Sequence, residues 1–219
     1  MFIGHLAVGF VSKRVAPKAS LGVLMAAPMA LDLLWPLFLL AGWEQVRIDP
    51  GNTAFTPLDF VSYPYSHPLL MLGVWGALFA WVFRAPSRPR RALLLAALVV
   101  SHWVLDFVTH RPDMPLYPGG PKVGLGLWQS VPATVAIEAA MFAAGVWVYA
   151  SCTRAHDRVG RWGFVGLTAL FALAYVGNLT SPPPPSVNAL IVVAIIGASV
   201  TMVLSWWVDR HREDTCLTP

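Results

Sequence analysis

His102, Asp106 and His110 recur at intervals of four within "SHWVLDFVTHRPD", Ser101 to Asp113. On an α-helix that spacing keeps all three within about 80° of one face. Imidazole nitrogen and carboxylate oxygen are both zinc-type donors, binding the ion at about 2.0–2.2 Å. The segment around them is apolar, and a charge in hydrocarbon costs at least about 2.5–3.5 kcal/mol at mid-helix. The residues therefore need a cation or one another. The competing reading is that Asp106 only orients His102 inside a helix bundle.

Other groups could join them. Asp32, in "APMALDLLWPL", stands between Pro28 and Pro36. Each proline removes a backbone donor and bends the helix, and broken helix at membrane depth is tolerated where it is buried or lines a wet cavity. His67, in "YPYSHPLL", is followed by Pro68, which favours an extended residue at a loop-to-helix junction. Ser66 or Tyr65 could hold its imidazole. His5 reads equally as a ligand or as a packed histidine. Glu138, in "VAIEAAMF", is a general base, a ligand or a helix contact, and Asp113 is a further proton acceptor. The loop "YPGGPKVGLGLWQS" could bind an oxyanion through Gly119, Gly120 and Lys122, with Arg111 nearby. It could equally be a lid or a plain connection. His156 and His211 lie among arginines and suggest no chemistry.

The elements that must position these groups follow from composition. Of 219 residues, 57% are hydrophobic and 12% charged, with mean hydropathy +0.62. A soluble domain carries roughly twice that charged share. The sequence therefore predicts an all-α, polytopic membrane bundle in a single domain, residues 1–219. Apolar stretches at 19–42, 68–84, 91–110, 128–151, 161–178 and 187–208 predict six transmembrane helices. Residues 1–12 form a short embedded segment ahead of them. Its charges follow its apolar part and no cleavage site is evident, so it is expected to be retained rather than removed as a signal peptide. Ser130 and Ser186 are expected helix starts.

Twelve Lys and Arg fall in one set of alternate loops and three, Arg47, Arg111 and Lys122, in the other. The richer set, and with it the C-terminus, belongs in the cytoplasm. The net charge of +4 then reports topology, not nucleic-acid binding. Cys152 and Cys216 fall on the reducing side and read as free thiols. A rise of about 1.5 Å per residue places His102 about 16 Å, Asp32 about 21 Å, Asp106 about 22 Å and His67 about 25 Å above the cytoplasmic edge. Glu138 falls near the midplane. Groups from several spans thus converge below the outer surface.

"GHLAVGF", "MALDLLW", "YSHPLL" and "SHWVLD", in that order, resemble the bacterial membrane-bound metal-dependent hydrolases known as YdjM-like, LexA-binding inner-membrane proteins. These are distantly similar to zinc phospholipase C. The resemblance covers roughly residues 1–140. It implies that His5, Asp32, His67, His102 and Asp106 are ligands. Ser62 and Pro68 depart from the pattern, which often has a second histidine before, and a serine after, the one matched by His67.

Together these observations lead to a metal-dependent hydrolase in the bacterial inner membrane. One or two divalent ions, zinc by donor type, are expected to be held by His67, His102, Asp106 and Asp32, with His5 or His110 completing the set. The expected substrate is a phosphoester or lipid-like molecule met at the extracytoplasmic side. The alternatives are an ion or solute transporter using the same cluster, or a scaffold in which it only locks packing.

Overall fold

The ten residues of α1 (Ile3–Ser12) are almost wholly buried in the computed structural model, which describes residues 1–83 and 89–216. Arg84 and Arg88, counted above among the cytoplasmic charges, lie outside the described residues. No side chain of its own caps α1. Instead Oε2 of Glu138 accepts from the amides of Phe2 (2.9 Å) and Gly4 (3.3 Å), donors that a helix start leaves without partners.

The stretch 19–42, expected to be one span, is two helices, α2 (Leu21–Ala26) and α3 (Ala30–Leu40). Ser20 caps the first. Pro28 cannot donate to the helix ladder and its ring clashes with the preceding turn, so the break falls there, while Pro36 is carried inside α3. An antiparallel ribbon follows, β1 (Gln45–Ile48) with β2 (Leu58–Ser62). Then come α4 (Leu69–Val82) and α5 (Pro89–Thr109), packed so closely that a Cβ on Gly76 would lie 3.0 Å from the Ala96 carbonyl.

A second ribbon pairs β3 (Met114–Pro115) with β4 (Lys122–Val123). Its turn uses Gly119 at φ +74°, backbone that L side chains rarely adopt. Ser130 caps α6 (Val131–Cys152) and Ser186 caps α8 (Val187–Asp209), both as expected. Between them lie β5 (Thr153–Ala155) and α7 (Arg158–Thr180), and β6 (Arg212–Asp214) closes the chain by pairing antiparallel with β5.

That last pairing corrects one expectation. Cys152 and Cys216 flank β5 and β6, the ladder brings their Cα atoms to 4.7 Å, and the two form a disulfide. Their separation of 64 residues, and the absence of any other cysteine, hid the pairing in the sequence.

Among the described residues, eight α-helices form the body and three two-stranded ribbons sit in its linkers. Four helices, α5 to α8, are long and apolar enough to cross a membrane. Trp147, Leu173, Val176, Val192, Val193 and Ile196 point outward from α6, α7 and α8. A bundle that exposes such residues on its long helices is built for contact with lipid. Inside are two apolar cores. One gathers Leu31, Leu72, Leu95 and Val99 around α3, α4 and α5, and the other gathers Leu6, Phe10, Tyr149 and Phe171 around α1, α6 and α7. The polar cluster sits at the seam between them, where His5 of α1 stacks on His102 of α5 with ring centroids 4.2 Å apart.

Candidate metal centre

α5 supplies the backbone of the cluster. His102, Asp106 and His110 share one face and are all buried. His102 Nε2 lies 3.0 Å, and His110 Nε2 3.9 Å, from Asp106 Oδ2. The break at Pro28 starts α3 in time to place Asp32 in its first turn, with Oδ1 3.9 Å from Nε2 of both His67 and His102. The structure therefore brings together His5, Asp32, His67, His102, Asp106 and His110, the whole expected ligand set.

The second nitrogen of each main imidazole decides what the first can do. Nδ1 of His102 lies 2.8 Å from the carbonyl of Pro28, which can only accept, so Nδ1 carries the proton. His110 Nδ1 lies 2.9 Å from Asp113 Oδ1 and donates to it likewise. His67 Nδ1 is 2.5 Å from Ser66 Oγ, whose one hydrogen goes to Glu44 Oε2 at 2.7 Å, so the serine accepts from the histidine. In the neutral rings all three Nε2 lone pairs then face Asp32 and Asp106. Lone pairs aimed at carboxylates repel them, and only positive charge relieves that.

Several observations fit a cation. His102 Nε2 and His5 Nδ1 are buried without a hydrogen-bond partner, the first despite its 3.0 Å approach to Asp106, because the pair lacks hydrogen-bond geometry. Asp106 Oδ1 is 2.5 Å from the Met1 nitrogen, which leaves Oδ2 toward His102 and His110. His5, Asp32 and His102 can present donor atoms within 4.8 Å of one another, and so can His67, His102 and Asp106. Donors around a tetrahedral ion stand about 3.4 Å apart, and Asp32 Oδ1 already lies 3.9 Å from Nε2 of both His67 and His102. Both sets need His102, and its Nδ1 is committed to Pro28. The two sets therefore share the single Nε2 of His102.

A cavity of about 190 Å³ opens onto the cluster, lined by Asp32, His67, Asp106 and His110 together with Trp35 and Trp128. The His110 ring packs on both Trp128 and Phe60, at centroid distances of 4.3 and 4.8 Å, and those two rings touch each other.

The remaining candidates stand outside this cavity. Glu138 is fully buried and spends Oε2 on the start of α1, while Oε1 has no hydrogen-bond partner. Asp113 stands behind His110. Arg111 is held between Asp59 Oδ1 (2.5 Å) and Asp113 Oδ2 (3.2 Å). Lys122 reaches over the Tyr63 ring, and Gly119 and Gly120 belong to the β3–β4 turn.

Glu44 and Pro28 have roles that sequence reasoning did not find. Glu44 also accepts from the amides of Tyr65 (2.8 Å) and Ser66 (2.7 Å), and burial pushes its carboxyl above the usual range against those hydrogen bonds. Nothing in "GWEQ" marks that glutamate as a partner of a serine 22 residues away. Pro28 was noticed for its ring, whereas its carbonyl is what contacts the cluster.

No protein-family model, curated protein or solved structure matches this chain. What the cluster does must be argued from its geometry.

Proposed function

We propose that this protein is a membrane-embedded, metal-dependent hydrolase acting on a phosphoester or lipid-like substrate. The observation that supports the metal is the partner behind each of His67, His102 and His110. Each gives Nδ1 to an acceptor from a different part of the chain and leaves Nε2 toward the two carboxylates. Such outer partners fix ring orientation and raise ligand basicity. A bound divalent ion, zinc by donor chemistry, would supply a water with pKa near about 7 and polarise the scissile group.

The chain's own residues do the rest. His67, His102, Asp106 and Asp32 would hold the ion, and His5, stacked on His102, is the next donor. His110 presents its Nε2 lone pair to the cavity, placed to accept a proton from a water or a substrate hydroxyl. Trp35, Phe60 and Trp128 give the apolar part of a substrate a wall. Glu138 keeps α1, and so His5, in place. The resemblance to membrane-bound hydrolases supports the reaction class. Six crossings would arise if the broken pair α2–α3 and the short α4 join α5 to α8. The charge asymmetry then puts the C-terminus in the cytoplasm and the cavity toward the extracytoplasmic side of the inner membrane.

A transporter would need a polar path to the other face. Between the cluster and the buried Lys13–Asp209 ion pair (2.9 Å), Leu6, Phe10, Leu24 and Met25 are fully buried. That layer favours the hydrolase.

Metal analysis of purified protein tests the reading, followed by phosphoester hydrolysis assays on phospholipid and on a soluble aryl phosphate. Near-stoichiometric zinc, lost with activity in His102→Ala and in Asp106→Ala, is expected. A folded protein that binds no metal overturns the proposal.

A further inference from the structure

A second group of metal-type donors lies at the far end of α6 from the cluster. His156 and Asp157 join β5 to α7, and His211 joins α8 to β6. These three residues can present donor atoms within 4.8 Å of one another. His211 Nδ1 lies 2.6 Å, and His156 Nδ1 3.3 Å, from Asp157 Oδ2. We propose that His156, Asp157 and His211 form a separate binding site for a divalent late transition-metal ion, which clasps the start of α7 to the end of α8.

The surroundings are arranged as they are around metal ligands. His156 Nε2 donates to the Arg210 carbonyl at 3.1 Å, which leaves the Nδ1 lone pair toward Asp157. Asp157 gives its other oxygen to the Gly160 amide at 2.7 Å as the cap of α7, so the carboxylate cannot swing away freely. The two segments are tied by their backbones, since the His156 amide donates to the His211 carbonyl. A Cβ on Gly160 would fall 1.9 Å from that same carbonyl, so His211 is seated directly against α7. The β5–β6 ladder and the Cys152–Cys216 disulfide hold the segments beside it.

Two of the neighbouring arginines, Arg210 and Arg212, are engaged elsewhere. Arg212 bonds Thr153 and the Gly160 carbonyl and lies over the Tyr149 and Phe164 rings, and Arg210 lies over Trp206. Two imidazoles with one carboxylate select nickel, copper or zinc over magnesium or calcium. The three side chains are partly exposed, so an ion reaches them from solvent and water completes its coordination. The ion takes the Nδ1 lone pair of His211, and the proton that Nδ1 shared with Asp157 passes through solvent to Nε2 of the same ring, so the imidazole stays neutral.

Titration of the full-length, detergent-solubilised protein with Ni²⁺ tests this, using the His102→Ala/Asp106→Ala chain so that the membrane cluster cannot contribute. One equivalent should bind. His156→Ala and His211→Ala should each weaken it at least tenfold, and His211→Gln, which keeps a polar side chain there, should weaken it as well. Should the doubly substituted chain not fold, the unsubstituted chain should bind one equivalent less after His211→Gln, at an unchanged unfolding temperature in chelator. Absence of binding in the doubly substituted chain overturns the site. So does an affinity indifferent to both histidines, which would leave only a surface ion pair. Neither result bears on the membrane cluster.

Discussion

Nδ1 of His102 is satisfied by the carbonyl of Pro28, 2.8 Å away across 74 residues of sequence. The bond exists because the helix is interrupted. In a continuous helix that carbonyl would accept from an amide one turn later. Here Pro28 lies outside both α2 and α3, and its oxygen is free to take an imidazole proton. One residue thus sets Asp32 at the head of a new helix and fixes the tautomer of the histidine facing it.

Pro28→Ala should uncouple these roles. Alanine restores a backbone donor and removes the ring clash, which favours joining α2 to α3. The freed carbonyl returns to the helix and His102 loses its acceptor. We expect zinc affinity to fall about 10–100-fold, the usual effect of losing a partner behind a ligand. The unfolding temperature in chelator should hold or rise. Equilibrium dialysis against a zinc indicator reads the first and a thermal melt the second. Unchanged affinity would show that the Pro28 carbonyl has no part in orienting His102.

Glu44 acts on His67 through Ser66, which predicts two separable effects of Glu44→Gln. Glutamine can still accept from the Tyr65 and Ser66 amides, but its nitrogen cannot accept from the Ser66 hydroxyl. That hydroxyl then donates to His67 Nδ1, the ring proton moves to Nε2, and the ligand lone pair is lost. Zinc affinity should drop at least about tenfold. Stability should move the other way. Burial raises the Glu44 carboxyl, so the folded chain holds that proton more tightly than the unfolded chain does. The ionised group therefore opposes folding at neutral pH, and its opposition fades as pH falls through the raised value. Melts in chelator across that range should show the Gln chain gaining on the parent as pH rises. A difference that does not change with pH would remove Glu44 from this role.

The sequence shows the membrane character, the four long helices and all six metal-type donors, because each rests on local signals. Apolar length, serine caps and the spacing of His102, Asp106 and His110 survive whatever the chain does elsewhere. Depth arithmetic brings Asp32 and His67 near His102 because the helical rise is constant. The sequence leaves His5 open between ligand and packed histidine, because it does not show that Glu138 fixes the start of α1 deep in the bundle. The hydrogen-bond partners behind the histidines are hidden for a related reason. Pro28, Glu44 and Asp113 act through single atoms positioned by breaks and ribbons, and no periodicity encodes those. Arg111 looks like a phosphate ligand from its charge, yet Asp59, 52 residues earlier, has already claimed it.

The Cys152–Cys216 disulfide provides a test of orientation. It lies at the end of the bundle that carries most of the Lys and Arg, which the charge asymmetry assigns to the cytoplasm. Disulfides are rare there because the compartment is reducing. The β5–β6 ladder pairs the two segments without the bond, so the thiols stay adjacent when reduced. In cells we therefore expect both cysteines reduced, and a membrane-impermeant maleimide should label them in inverted vesicles but not in intact spheroplasts. Once the protein is purified in air, the bond closes a loop whose chain-entropy effect is about 4 kcal/mol for this separation. Cys216→Ser should lower the unfolding temperature of the oxidised protein and leave zinc at the membrane cluster unchanged. Glu138 lies 14 residues before Cys152, which is about 21 Å along α6. Labelling from the outer face, and only after the bond is reduced, would reverse the orientation. It would turn the cavity at His67 toward the cytoplasm.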